Sequence, residues 1–575
     1  MAKHSESTCS HHDVPRRSVL KLMAGAPLSG ALLRAQTAAP PRRTMLDMVH
    51  NNPGEQPYRT RYNDPAVLRG MGYDGKVYSL FESPMLAVNW ESVDPDIFPA
   101  GSAARRWVDA KAAQVDGQHA RCHAAGLATY AMADLILFPK SLVERYRMQE
   151  TFGDAGDPQT VKFLRLLLNQ TFDRFPTLDG LVFRIGETYL QDAPYHVGRI
   201  LHKNDAQKTI IPLIRLLREE ISVKRGRQVV FRSWLSFDTD LETYRRVSGG
   251  VEPHANLVIG VKHCEGDFHR GNPFSKVLGE GRHRQIVEIQ CAREYEGKGA
   301  YPNYVANGVI EGFEEHRLQL PPEKIRSLRE LQQRSPLFGG LWTWTRGGGW
   351  RGPYIKNELW CDLNAWVLAQ WCRNPAESEA AIFQRYAVSK LGLQGDDSAK
   401  FRRLCLLSAG AVLRGKNSTH SDIEPWWSRD DGINRPELPS DPEARARVIA
   451  EKAVAVRMWE EIVTLARAIR FPDAATGEYV LTSSRYGLYL YRIYRILFDL
   501  EGLGRDGDKA RMRALLSEYD SAWADYRRLP SESASCATLY EEKSAPVGAR
   551  GDGIDKVIAE YRAAAGIGAS SVQRQ

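Results

Sequence analysis

Two kinds of hydrophobic segment alternate along the chain. Short, almost continuous apolar runs recur eight times: MLDMVHN (45–51), KVYSLF (76–81), ATYAMADL (128–135), GLVFRIG (180–186), QVVFRSWL (228–235), LVIGVKH (257–263), IVEIQC (286–291) and FGGLWTWT (338–345). Between them apolar residues return every three or four positions, as in AARRWVDAKAAQVDGQHARCHAAG, VKFLRLLLNQTFDRF and TIIPLIRLLREEISVKRG. The first pattern predicts strands buried on both faces and the second amphipathic helices, which together argue for a parallel sheet. Eight such units over 44–374 predict a closed (β/α)8 (TIM) barrel. A doubly wound open sheet is the alternative, but no Gly-x-Gly-x-x-Gly turn follows the first strand to favour it.

From Pro375 the strand pattern stops. ESEAAIFQRYAVSKLG, RARVIAEKAVAVRMWEEIVTLARAIR, RYGLYLYRIYRILFDLEGL and DKARMRALLSEYDSAWADYRRL all carry a period of about 3.6 residues. They predict an α-helical C-terminal domain over 375–566. A polar link from Gly415 to Pro439 falls within it, and a disordered tail is expected over 567–575.

The N-terminus reads as a targeting segment. Arg16-Arg17 precede Ser18-Val19-Leu20-Lys21, an apolar run to Leu33 and a small-residue stretch ending at Ala39. That is the form of a twin-arginine export signal over 1–39, predicting a periplasmic or secreted protein. The apolar run is shorter than the ~20 residues a spanning helix needs, so no membrane association is expected once the signal is removed. Eight cysteines are scattered, and Cys9 leaves with the signal. The remaining seven suggest no disulfide framework, as fits folding before export. The net charge of +8 is spread widely with no Lys/Arg block, which argues against a nucleic-acid partner.

Chemistry gathers at strand ends. LVIGVKH runs into Lys262, His263, Glu265 and Asp267, and IVEIQC into Arg293, Glu294 and Glu296; GLVFRIG leads to Glu187. Charges are costly to bury, so an apolar strand ending in several of them usually opens into a wet pocket. In a barrel the C-terminal strand ends share one face, so Glu187, Asp267 and Glu294 are expected around a single mouth. Paired carboxylates flanking a cleft are the equipment of glycoside hydrolysis, one protonated to donate to the leaving oxygen and one ionised. Taken singly, a Glu at a strand end is more often a salt-bridge partner or helix cap.

Arg184, Arg232 and Lys262 sit among these acids. They either neutralise buried carboxylates or bind an acidic substrate, where an Arg fork matches a carboxylate. Tyr189 and Tyr295, each close to one of the acids, are further candidates for substrate contact. Trp342 and Trp344 share one face of the last strand and are expected to point into the mouth, where rings stack on the apolar faces of sugars. Trp360 and Trp366 are expected in the core, and Thr345 to Trp350 as a flexible glycine-rich rim. His263, Cys264, Glu265, Asp267 and His269 lack the CxxC or HExxH spacing of a metal site, so neither a metal nor any other cofactor is expected.

The order and spacing of these motifs resemble glycoside hydrolase family 67, the α-glucuronidases. The resemblance is carried by VKHCEGDF followed by IVEIQCAREYEG and by FPTLDGLV leading to Glu187. It extends to the last unit, from Trp350-Arg351-Gly352 through Leu363-Asn364-Ala365 to Trp371-Cys372-Arg373-Asn374-Pro375. It spans Leu46 to Leu391. It implies an inverting hydrolase that removes glucuronic-acid branches from xylan fragments. Glu187 would stand for the general acid, and Asp267 and Glu294 for the carboxylates that activate water. Arg232 and Lys262 would line the sugar-acid pocket, and the C-terminal helices would pair two copies. The family's N-terminal β-sandwich has no counterpart before the first strand. Its lysine ahead of the acid is replaced by Arg184 one position away, which on a regular strand faces the other side.

The expected function is therefore exported glycoside hydrolysis of a uronic-acid-containing, plant-type oligosaccharide. The rivals are a retaining barrel glycosidase with Glu187 as acid/base and Glu294 as nucleophile, and a non-catalytic carbohydrate-binding protein on the same scaffold. A metal-dependent lyase or epimerase on the same barrel is a further rival.

Overall fold

The computed structural model describes residues 43–52, 55, 57–185, 193–234, 236–428, 432–542 and 553–567. The expected signal at 1–39, Glu187, Tyr189 and all but the first residue of the expected tail lie outside them.

All eight predicted strands form. They are β1 (Thr44–His50), β2 (Gly75–Tyr78), β3 (Ala128–Asp134), β4 (Gly180–Arg184), β5 (Gln228–Arg232), β6 (Leu257–Lys262), β7 (Gln285–Gln290) and β8 (Phe338–Gly347). Each pairs in parallel with its chain neighbour, and β8 closes on β1, giving a closed eight-stranded barrel. A short antiparallel pair, Leu137–Pro139 with His196–Gly198, lies outside it. β2 stops three residues early. Ser79 and Glu82 form a capping box, with the Ser79 amide donating to the Glu82 carboxylate at 3.0 Å, and the chain turns into a 3-10 helix there.

The continuous apolar runs follow from double burial. Met45, Leu181, Phe183, Val229, Phe231, Ile259, Val287 and Leu341 belong to the large core between strands and helices. Their alternates Leu46, Val182, Val230, Val258, Ile286 and Trp342 belong to a separate cluster inside the barrel. A two-residue period puts one set on each face.

The helices start where the sequence supplies caps. Ser102 Oγ accepts from the Arg105 amide at 3.0 Å to open Ala103–Ala124. Asp157 and Asp441 do the same, each followed by a proline at the first helical position, for Pro158–Arg174 and Pro442–Ala468. Each such cap contributes about 1 kcal/mol. After Leu359–Arg373 the remaining helices are Glu379–Leu391, Gly395–Lys416, Pro442–Ala468, Ala474–Leu503, Lys509–Glu532 and Ile554–Ala564. No strand occurs among the described residues of this region. The seven cysteines after the N-terminal segment are all buried and free.

The C-terminal helices grip the loop after β7. Tyr479 Oη donates to the Gly299 carbonyl at 3.1 Å, and the Tyr301 and Tyr491 hydroxyls lie 3.2 Å apart. Lys416 Nζ donates to the Tyr295 carbonyl. From the barrel side, Asn364 accepts from the Val305 and Ala306 amides at 3.0 Å and donates to the Asn303 carbonyl at 3.0 Å. The segment that carries Glu294 and Tyr295 is thus fixed from two directions. Among the described residues no helix is long and apolar enough to cross a membrane.

Candidate active site

Towards the C-terminal ends of the strands the barrel interior changes character. Arg184, at the end of β4, donates through Nε and Nη2 to Asp134, at the end of β3, at 2.8 and 3.2 Å. Arg232, at the end of β5, forms a fork with Glu288 of β7 at 2.6 and 2.8 Å. Lys262, at the end of β6, donates to Asp267 Oδ1 at 3.1 Å and to the Gly266 carbonyl at 2.5 Å. Three buried cations are therefore matched by three carboxylates, as their desolvation demands.

Asp267 accepts two further bonds, from the Tyr295 hydroxyl at 2.6 Å and the Phe268 amide at 3.0 Å. Burial pushes its pKa up, but the Lys262 charge, His269 and the Tyr295 bond pull harder, so its carboxyl is held well below the usual range. It is a fixed negative charge and a weak base. Tyr295 is itself clamped by a flat stack on His269, with centroids 3.8 Å apart.

Glu294 leaves β7 through an unusual turn. Arg293 has a left-handed backbone, φ 52°, held by a fork to Glu296 at 3.0 and 2.8 Å. Such a conformation is costly for a non-glycine residue and persists where the surroundings fix it. Gln290 then holds Glu294 at both ends: its amide donates to Oε1 at 2.7 Å and its carbonyl oxygen accepts the Glu294 backbone N–H at 3.1 Å. Gly348 packs against the same carboxylate. A Cβ there would lie 2.7 Å from Gln290 Nε2 and 2.9 Å from Glu294 Oε2, and its φ of 80° also favours glycine.

Arg184, Arg232, Asp267, Glu294, Tyr295 and Trp344 line one cavity at the barrel mouth. Six of the residues expected from sequence are thus brought together. Two are not. Trp342 is fully buried in the apolar interior cluster. Strand alternation gives it the face of Trp344, but it stands one layer deeper, on the floor rather than the wall. Lys262 is also fully buried, its ammonium 3.4 Å from the centre of the Trp234 ring. It acts on Asp267 and does not line the cavity. Arg184, placed on the wrong side of its strand by comparison with family 67, shares the inward face of Val182.

The remaining lining is His50, Asn52, Trp234, Gly349 and Trp350. His50 ends β1 and packs on Trp344, with centroids 4.5 Å apart. Burial, reinforced by the Arg184 charge, lowers its pKa to about 3, so it is neutral. The strand-exit rule applied to His50-Asn51-Asn52 would have found it. Trp360 and Trp366 are buried in the core between barrel and helices. Among the described residues no group of three His, Cys, Asp or Glu side chains is placed to hold a metal ion. The free space in the cavity is about 40 Å³, which suits water rather than a sugar ring.

A barrel with a charged mouth and a helical C-terminal region is the class of protein these observations define. No protein-family model and no curated protein matches the chain, so the family 67 resemblance has no counterpart there. Among solved structures, the chain is similar to a GH138 enzyme targeting pectin rhamnogalacturonan II. The match has a TM-score of 0.50 and 10% identity and covers 91% of this chain and 67% of that one. It is also similar to a mutant O-GlcNAc hydrolase from Thermobaculum terrenum, with TM-score 0.37, 10% identity and coverage of 86% and 95%. The first supports the architecture; the second is too distant to carry an argument.

Proposed function

We propose that the protein is a glycoside hydrolase acting on an oligosaccharide that bears a uronic acid. One observation carries this reading: a single barrel-mouth cavity holds two carboxylates, Asp267 and Glu294, with two guanidinium groups, Arg184 and Arg232, and two indoles, Trp344 and Trp350. Carboxylates supply the acid-base chemistry, guanidinium groups match a sugar carboxylate, and indoles suit the apolar faces of a ring. The similarity to an enzyme targeting pectin rhamnogalacturonan II is in keeping with an acidic glycan.

In this reading Glu294 takes a proton from a water whose oxygen attacks the anomeric carbon. Glu187, on the chain that follows β4, gives its proton to the departing oxygen, and the anomer inverts. Asp267, held ionised by Lys262, supports the positive charge that develops on the sugar. A ring enters the 40 Å³ cavity only if the rim that carries Gly349 and Trp350 gives way. The substrate is met outside the cytoplasm, after export on the twin-arginine signal. An N-terminus found at or close to residue 40 on the exported protein would support that step, and an unprocessed cytoplasmic chain would refute it.

The test is a screen of the purified protein against uronic-acid and neutral oligosaccharides, with the product anomer read by NMR. Release of a uronic acid with inverted configuration is expected. Retained configuration would make Glu294 the nucleophile instead. Binding without release would leave a carbohydrate-binding protein.

A further inference from the structure

The loops that close the active-site cavity do not stop there. The chain after β1 places His50 and Asn52 in it and goes on to Arg59–Arg61. The chain after β8 places Gly349 and Trp350 in it and goes on to Ile355–Leu359. Beyond the cavity these same two segments meet the helix Glu379–Leu391 around a second hollow of about 590 Å³. That size is typical of a small-molecule site. Arg346, near the end of β8, lines the second hollow, and its guanidinium lies 5.1 Å from the centre of the Tyr58 ring.

The second hollow carries surplus positive charge. Its two acids are already engaged. Glu358 pairs with Arg346 at 2.5 Å, and Asp362 pairs with Arg61 and accepts from the Tyr62 and Tyr386 hydroxyls at 3.1 and 2.9 Å. Lys356 donates to the Ala534 carbonyl at 3.0 Å. Arg59 and Lys390 line the same hollow, are exposed, and have no ion-pair partner among the described residues. Asn357 and Thr476 add neutral hydrogen-bonding groups, and Ile355, Leu359 and Leu391 add apolar surface. Cations, neutral donors and apolar patches in one concave site suit a sugar with a carboxylate better than a bare inorganic anion, which has no use for the apolar surface.

We infer that this hollow is a distal subsite for a second acidic residue of the same oligosaccharide, with Arg59 and Lys390 as its carboxylate-binding pair. The inference rests on the glycoside hydrolase reading for the word "distal", but the binding site can be tested alone. Titration calorimetry with tetragalacturonate and with the neutral xylotetraose, on the full chain and on Arg59→Ala/Lys390→Ala, provides the test. Both residues are exposed, so the double variant should fold. Tetragalacturonate should bind about tenfold more weakly to the variant, the size expected for losing hydrogen bonds to a charged group. Xylotetraose binding should be unaltered, and added salt should weaken tetragalacturonate binding to the parent more than to the variant. Equal tetragalacturonate affinity in the two proteins would overturn the inference, as would full displacement by inorganic sulfate at matched charge. If no sugar is released from any substrate yet the variant still loses acidic binding, the subsite stands and the hydrolase reading falls.

Discussion

At the N-terminal end of the barrel the inward-facing residues are Leu46, Val77, Tyr130, Val182, Val230, Val258, Ile286 and Trp342. Two or four positions further along seven of those strands they are His50, Asp134, Arg184, Arg232, Lys262, Glu288 and Trp344. The parallel ladder runs through both halves, with a register shift between β1 and β8 at Met48/Val49 where Trp344 gives way to Arg346; the larger change is in the side chains. The floor fills space, and its residues are interchangeable with others of like volume. The mouth buries charge, which must be matched atom by atom, so each residue there depends on a named partner. A protein bears that cost where the charges have work to do.

Substitutions that separate the two halves make the comparison testable. The largest effect is expected for Glu294→Gln. It should lower kcat about a hundred- to ten-thousandfold, the range for losing a general base, while circular dichroism and the thermal midpoint barely move. Glu288→Gln comes next. It leaves the Arg232 guanidinium buried without its partner charge and should cost about 3–5 kcal/mol in urea unfolding. Tyr295→Phe removes the 2.6 Å bond to the buried Asp267 carboxylate and should lower kcat about tenfold and cost about 1–3 kcal/mol in urea unfolding. Ile286→Val, on the floor two positions before Glu288, should cost about 1 kcal/mol and leave kcat unchanged. A large drop in kcat from that change would erase the distinction between floor and mouth.

A pH dependence of stability is expected as well. Asp238, buried on the short helix after β5, has its pKa pushed up by burial to about 7, against the pull of Lys262, of the Ser233 hydroxyl at 2.9 Å and of Arg232. A carboxyl whose folded value lies above the unfolded one, near about 4, binds its proton more tightly when folded. Its contribution to stability is complete below about 4 and is lost as pH rises through about 7. Asp238→Asn should flatten the thermal midpoint between those limits, and an unchanged slope would assign that dependence elsewhere.

Much of this arrangement was legible in the sequence because double burial leaves runs such as VVF and LVIGV that few other structures explain. Arg232 and Lys262 stand at even spacing from Val230 and Val258 and so share their inward face in the structure. What alternation does not carry is height along the strand. Trp342 and Trp344 therefore looked equivalent, although one is floor and the other wall. Nor does it say how a cation is used, so Lys262 read as a substrate contact when its charge is committed to Asp267. The helix Gly395–Lys416 leaves no clear period in the sequence because its buried residues, Leu404 to Leu413 among them, cover a broad face. His50, Asn52 and Trp234 are less apparent from the sequence because no cluster of charged residues at the strand exit singles them out.

The most direct measurement is a crystal structure of Glu294→Gln soaked with a uronic-acid oligosaccharide it cannot cleave. A sugar between Trp344 and Trp350, with its carboxylate within hydrogen-bonding distance of Arg184 or Arg232, is the predicted result. A sugar bound only away from the barrel mouth, or turned so that its carboxylate avoids both guanidinium groups, would contradict the account.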